Sequence, residues 1–161
     1  MNAIQYISGD ATKPVKQGPA IIVHVCNDIG GWGAGFVLAI SKRWREPEKQ
    51  YRAWYKGGIT GSAPFELGQV QFIEVGDNLT VANLIGQHGI KGQGDIPPIR
   101  YDAVAKGLEC VKTKALQTEA TVHMPRIGCG LAGGEWRKIE PLILQHLTSQ
   151  GVPVTVYDFA A

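Results

Sequence analysis

Two glycine-rich segments carry the clearest chemical signal in this 161-residue chain. The first, residues 27–35, reads Asn-Asp-Ile-Gly-Gly-Trp-Gly-Ala-Gly, and the second, residues 126–135, reads Arg-Ile-Gly-Cys-Gly-Leu-Ala-Gly-Gly-Glu. Each follows an apolar run typical of a strand and precedes a segment with helical spacing. Glycine lets backbone N–H groups face a ligand, and a helix N-terminus adds partial positive charge, so each segment predicts an anion site. Two such sites on one sheet suit a diphosphate.

Two common phosphate motifs are absent from these segments. No Gly-Lys-Ser/Thr follows either one, which excludes a Walker A site for nucleoside triphosphates. The spacing Gly31-x-Gly33-x-Gly35 differs from the dinucleotide fingerprint. The helix after it is also not followed directly by a second strand that ends in an acidic residue, as that fingerprint requires. The alternative interpretation is that the glycines only form tight turns.

The hydrophobic pattern predicts the elements that must position these segments. Strands are expected at residues 2–7, 20–26, 69–75, 79–85, 120–124 and 152–159, and helices at 33–45, from 47 through 55, at 99–117 and at 136–149. Helices between most strands predict a single domain over residues 1–161, a three-layer α/β/α sandwich with a mostly parallel, six-stranded mixed sheet. Ligands of such sheets bind beyond the carboxyl ends of the strands.

Composition excludes several classes of function. The net charge of +2 and the lack of a Lys/Arg run argue against direct binding of nucleic acid. Cys26, Cys110 and Cys129 have no CxxC spacing, so neither a disulfide framework nor a zinc site is expected, and no metal or cofactor is predicted. No apolar run approaches the length of a membrane span, and a cytoplasmic location is the simplest expectation.

Motifs spread along the chain resemble those of the macrodomain family. They are Tyr-Ile-Ser-Gly-Asp at 6–10, His-Val-Cys-Asn at 24–27, Trp-Gly-Ala-Gly at 32–35, Leu-Ile at 84–85, Met-Pro-Arg-Ile-Gly-Cys-Gly-Leu at 124–131, Trp136, and Val-Thr-Val-Tyr at 154–157. The branch that is most similar holds the terminal ADP-ribose protein glycohydrolases and the ADP-ribose-1''-phosphate phosphatases. The resemblance implies a macrodomain sandwich that binds ADP-ribose or an ADP-ribosylated macromolecule.

The resemblance also implies roles for individual residues. Asp10 would accept a hydrogen bond from the adenine amine, although a carboxylate there also suits a turn or helix cap. Asn27 would lie near the distal ribose, with a strand-end turn as its alternative. The expected ligand contacts around the diphosphate and riboses are Trp32, Gly33, Ala34, Gly35, Phe36, Gln87, Arg126, Ile127, Gly128, Cys129, Gly130, Leu131 and Tyr157. For Trp32, stacking on a ligand and packing in the protein stay open, while Cys129 is expected to contribute its backbone rather than a nucleophile.

The family pattern breaks at two positions. Where the glycohydrolase resemblance implies a lysine that forms a covalent adduct and an aspartate that helps to resolve it, this chain has Gln87 and Ala132. An amide forms no Schiff base and a methyl group accepts no proton, so that mechanism is not expected. Asp28 and His88 are the alternative catalytic candidates, since both could act in proton transfer; Lys91 is a weak substitute for the missing lysine.

Three interpretations of the function therefore remain open. The first is a hydrolase of an ADP-ribosyl ester or of ADP-ribose-1''-phosphate, and the second is a non-catalytic ADP-ribose reader or metabolite sensor. An unrelated nucleotide-binding sandwich is a third alternative.

Overall fold

The structure is a computed structural model that describes residues 3–57 and 63–159. Its strands are β1 (Gln5–Ser8), β2 (Ala20–Asn27), β3 (Val70–Gly76), β4 (Leu79–Gln87), β5 (Thr121–Met124) and β6 (Val154–Asp158). Its α-helices are α1 (Phe36–Arg43), α2 (Glu46–Tyr55), α3 (Tyr101–Thr118) and α4 (Trp136–His146), and a 3-10 turn follows at Thr148–Gln150. Residue 2, where the first predicted strand begins, lies outside the described residues.

The six strands form one sheet in the order β1-β6-β5-β2-β4-β3. All neighbours pair in parallel except β3 and β4, which form an antiparallel hairpin. This hairpin turns at Asn78, whose φ of 55° is the left-handed conformation that asparagine tolerates better than most residues. The predicted mixed, largely parallel sheet is confirmed.

The sheet is covered on both faces, because its central strands are apolar on both sides. In β2, Ile21 and Val23 pack under α3 and α4, whereas Ile22 and Cys26 pack with Trp54 and other residues of the α1–α2 side. Alternate residues of a strand point to opposite faces, so an almost continuously apolar strand builds two cores. The three-layer α/β/α sandwich follows from this, as the sequence predicts.

The parallel arrangement brings five chain segments to one edge of the sheet. The carboxyl ends of β1, β6, β5, β2 and β4 all meet there, and both glycine segments leave from this edge, one after β2 and one after β5. None of the helices in residues 3–57 and 63–159 is long and apolar enough to cross a lipid bilayer.

Candidate functional site

The first glycine loop (residues 27–35) is shaped by the side chain of Asn27. Its Oδ1 accepts hydrogen bonds from the N–H groups of Ile29 and Gly31, at 3.1 and 2.9 Å, and from the Tyr51 hydroxyl at 2.8 Å. Its Nδ2 donates to the Gly31 carbonyl at 3.0 Å. Asn27 therefore braces the loop, while its expected contact with a distal ribose stays a prediction.

The end of this loop presents backbone donors to the edge of the sheet. Gly35 precedes α1 with φ 82° and ψ −148°, a conformation that is open to glycine and strained for other residues. The N–H groups of Gly33, Ala34 and Gly35 donate to no acceptor within the described part of the chain. Unpartnered donors at a helix N-terminus are an anion-binding arrangement.

The second glycine loop (residues 126–135) has a comparable construction. Gly128 has φ 73°, and a Cβ at this position would lie 2.6 Å from the Cδ1 of Ile99. The Gly134 N–H donates to the Gly128 carbonyl at 2.7 Å, which closes the loop on itself. The N–H groups of Gly130 and Leu131 have no acceptor in residues 3–57 and 63–159, so they too are available to a ligand.

Two adjacent cavities, of about 190 and 140 Å³, lie between the loops. Both are lined by Val25, Ala34, Val37, Gln87 and Leu131, so they are compartments of one cleft. Gly35, Phe36, Arg126, Ile127, Gly128 and Gly130 line the first compartment only, and Asn27, Trp32 and Gly33 line the second only. Most of the residues expected to contact a ligand are therefore brought together here.

A third cavity, of about 760 Å³, lies beside Asp10 after β1. Asp10 Oδ1 accepts hydrogen bonds from the Thr12 N–H and hydroxyl at 2.8 and 2.7 Å, whereas its Oδ2 has no partner in the described chain. Phe159 follows β6 into the same cavity with 75% of its surface exposed. Sequence reasoning missed Phe159; the available signal was a large aromatic residue directly after the last strand.

The two catalytic candidates form a hydrogen-bonded pair. His88 Nδ1 lies 2.7 Å from Asp28 Oδ2, and the Gly89 N–H donates to Asp28 Oδ1 at 2.8 Å. Neither side chain lines the cleft, but each directly follows a residue that does, Asn27 and Gln87 respectively. The pair ties the first glycine loop to the segment after β4. Lys91 is exposed in that same segment.

Arg126 lines the cleft, but its charge is already compensated. Its guanidinium donates to both carboxylate oxygens of Asp158, at 2.6 and 3.1 Å, and lies 5.2 and 5.1 Å from the ring centres of Tyr6 and Trp136. This ion pair raises the pKa of Arg126 and lowers the pKa of the Asp158 carboxyl. An anion in the cleft therefore depends chiefly on backbone donors.

For three of the expected ligand contacts, the structure favours a role in packing or in the backbone over a side-chain contact with the ligand. Trp32 is only 4% exposed, and its Nε1 donates to Ser41 Oγ at 2.7 Å, which favours the packing interpretation. Tyr157 is buried, and its hydroxyl accepts from the Val15 N–H at 2.9 Å, so it supports the segment that carries Asp10 and is not brought to the cleft. Burial raises the pKa of the Cys129 thiol, which keeps it protonated at neutral pH and agrees with a backbone role.

No group of three or more His, Cys, Asp or Glu side chains in the described residues could hold a metal ion. The candidate site is a cleft lined by backbone donors and small side chains, at the carboxyl edge of a mixed sheet in an α/β/α sandwich. Comparison with known proteins gives this class of fold a name.

A macrodomain protein from Streptomyces coelicolor is 51% identical, with 98% of this chain and all of that chain covered and a TM-score of 0.86. A Bacteroides thetaiotaomicron protein of unknown function is 53% identical, with 98% of both chains covered and a TM-score of 0.93. The chain belongs to the macrodomain family. No family model matches it.

Curated relatives are more distant. The chromodomain-helicase-DNA-binding protein 1-like of Danio rerio is 34% identical over 98% of this chain, which spans only 16% of that protein's length. An ADP-ribose 1''-phosphate phosphatase from Meyerozyma guilliermondii is 25% identical, with 91% of this chain and 95% of the phosphatase covered.

Proposed function

We propose that this macrodomain, as a single domain, binds ADP-ribose in the cleft between its two glycine loops. The observation that carries the proposal is the set of unpartnered N–H groups on Gly33, Ala34 and Gly35 on one side and on Gly130 and Leu131 on the other. Two facing groups of backbone donors match the oxygens of a diphosphate. Arg126 is already paired with Asp158, so in this proposal the backbone donors rather than a free cation make this contact.

The adenosine half of the ligand fits the Asp10 cavity. The free Oδ2 of Asp10 can accept a hydrogen bond from an exocyclic amine, and the exposed ring of Phe159 offers a face for stacking. The distal ribose then falls in the smaller compartment of the cleft, which Asn27 and Gln87 line. The phosphatase relative, whose name refers to an ADP-ribose derivative, supports this choice of ligand.

We propose further that the protein hydrolyses an ADP-ribose derivative, either an ADP-ribosyl ester or ADP-ribose-1''-phosphate. Gln87 and Ala132 exclude a lysine adduct at the positions implied by the glycohydrolase resemblance, so a bound water is the nucleophile. The 2.7 Å contact between Asp28 and His88 orients the imidazole, which leaves Nε2 to act as a base beside the distal-ribose compartment. In an ADP-ribosyl ester the water's oxygen attacks the anomeric carbon of the distal ribose, whose bond to the ester oxygen breaks and releases the carboxylate. In ADP-ribose-1''-phosphate it attacks phosphorus, and the P–O bond to the distal ribose breaks. In both cases the water's proton passes to His88, which can return it to the departing ribose oxygen in the second case.

A non-catalytic reader is the second candidate, and one observation favours it. Asp28 accepts hydrogen bonds from the His88 imidazole and from the Gly89 N–H. Neither Asp28 nor His88 lines the cleft. In that case the pair has the structural task of holding two loops together, and the ligand is an ADP-ribosylated macromolecule.

Two measurements test these proposals. Calorimetric titration with ADP-ribose should give saturable binding that is much tighter than binding of AMP, since AMP lacks the second phosphate and the distal ribose; no heat at millimolar ADP-ribose would contradict the binding proposal. Release of ADP-ribose or phosphate should then be followed with ADP-ribosylated protein, ADP-ribosylated DNA and ADP-ribose-1''-phosphate. Turnover that is lost in His88→Gln while ADP-ribose affinity is retained supports the hydrolase, and binding without turnover of any substrate supports the reader.

A further inference from the structure

The Asp10 cavity carries more positive charge than an adenosine group requires. Lys13, Lys42 and Arg43 line it, and Asp10 is the one carboxylate among its described lining residues. All three cations are exposed to solvent, and none forms an ion pair in residues 3–57 and 63–159. Unpaired cations that converge on one concave surface raise the local concentration of anions.

The positions of the cations are only partly explained by the fold. Lys42 and Arg43 lie in the last turn of α1, where positive side chains complement the helix macrodipole. Lys13 comes from the segment after β1, so the dipole of α1 does not account for its placement. Arg43 Nε donates to Thr12 Oγ1 at 2.9 Å, which holds the guanidinium beside Asp10 and leaves Nη1 and Nη2 without a partner in the described chain.

The cavity also has room beyond a nucleobase. Its volume of 760 Å³ falls within the roughly 300–1,000 Å³ of pockets that hold a whole small ligand. Asp10 and Phe159 suffice for an adenine ring, which is flat and uncharged. ADP-ribose alone therefore places no negative charge against the part of the cavity wall that carries the three cations.

We infer that this cavity recognises a further phosphate ester on the adenosine ribose of the ligand, an inference that rests on the proposed function. The ester would be attached at the 2' or 3' oxygen, either as a terminal monoester or as a diester that continues a chain. Exposed ion pairs change affinity by a few-fold each, so three cations acting together predict about a tenfold gain over ADP-ribose at low salt.

The test is a calorimetric comparison of ADP-ribose with its 2'-phosphate, its 3'-phosphate and the methyl diester of each. At least one phosphorylated form should bind about tenfold tighter than ADP-ribose, and this ratio should shrink as salt is added. In the double variant Lys13→Gln with Lys42→Gln, the ratio should fall toward one. The control Lys56→Gln removes an exposed lysine that lines neither this cavity nor the cleft, and it should keep the wild-type ratio.

The outcomes separate this inference from the function on which it rests. Tighter binding of a monoester alone identifies a free nucleotide as the source of the phosphate, and equal gains with the diester identify a continuing chain. Equal affinity for ADP-ribose and all phosphorylated forms would overturn the inference and leave ADP-ribose binding intact. Absence of binding by every ligand would overturn both.

Discussion

Two buried histidines should make this protein much less stable in mild acid. Burial lowers the pKa of His24 from 6.5 to about 4, and it is the main cause of the same shift at His123. His24 donates from Nε2 to Asn83 Oδ1 at 2.5 Å, because the Asn83 amide nitrogen is itself a donor to two other oxygens. His123 lies between Thr121 Oγ1 and the Tyr157 hydroxyl, at 2.7 and 2.8 Å. Both rings are therefore satisfied in the neutral form.

The sign and size of the effect follow from these pKa values. A histidine whose folded pKa is depressed contributes stability above its unfolded pKa of 6.5 and loses it as the pH falls toward about 4, because the unfolded chain binds a proton that the folded chain does not. Each pKa unit corresponds to about 1.4 kcal/mol. At pH 5 each histidine has lost about 2 kcal/mol of its contribution to stability, so the free energy of unfolding should be about 4 kcal/mol lower than at pH 7.5.

Urea denaturation at several pH values between 7.5 and 5 measures this loss directly. His24→Gln or His123→Gln should each remove about half of the pH dependence, whatever its effect on stability at pH 7.5. Imidazole resonances in NMR give an independent readout, since neither ring should titrate in this range. A free energy of unfolding that is constant between pH 7.5 and 5, or buried rings that titrate near pH 6.5, would refute the reasoning.

Three other predictions concern the loops and the segment after β1. Gly128→Ala should lower the free energy of unfolding by about 1–3 kcal/mol, because Gly128 has a positive φ and the Ile99 side chain lies close to the position that a Cβ would take. Gly130→Ala is the control: no atom lies within 4 Å of a Cβ at this position, so the change should cost less than about 1 kcal/mol. Thermal or urea denaturation measures both. Tyr157→Phe should lower the free energy of unfolding by about 1–3 kcal/mol, because the hydroxyl bonds to the buried His123 ring and to the Val15 N–H are lost. It should also weaken ADP-ribose binding, since Val15 belongs to the segment that carries Asp10; equal affinity in the variant would count against this link. Borohydride reduction in the presence of substrate should give no lysine adduct by mass spectrometry, and an adduct on Lys91 would contradict the absence of covalent chemistry.

Local patterns in the sequence predicted the sheet and the two glycine loops. Apolar runs that end in glycine-rich segments define strand–loop–helix units, and parallel pairing then requires their carboxyl ends to meet at one edge. Helix α1 begins at Phe36 rather than at residue 33, because Gly35 has a positive φ that ends the loop and cannot continue a helix. Both glycine loops consequently line one cleft, as the resemblance implies.

Contacts between distant parts of the chain could not be predicted in the same way. Phe159 reaches Asp10 only because β6 pairs with β1, which places residues at opposite ends of the sequence side by side. Asp28 and His88 were separate candidates, and their contact depends on the pairing of β2 with β4. From the sequence alone, the Tyr157 side chain could lie on either face of β6. Its burial depends on packing against distant parts of the chain, which the local sequence does not reveal.

The most direct test of the account is ADP-ribose calorimetry on three matched glycine variants. Gly33→Glu and Gly130→Glu should fold normally, because a Cβ at either site meets no atom within 4 Å, and each places a carboxylate where the diphosphate must approach backbone N–H groups. Gly76→Glu makes the same change at an equally open position in the β3–β4 hairpin, at the opposite edge of the sheet. The account predicts at least a roughly 100-fold loss of affinity in the two loop variants, from two or more charge-assisted hydrogen bonds, and wild-type affinity in Gly76→Glu. Folded loop variants that bind ADP-ribose as tightly as the wild type would contradict the central claim and reduce both loops to structural turns.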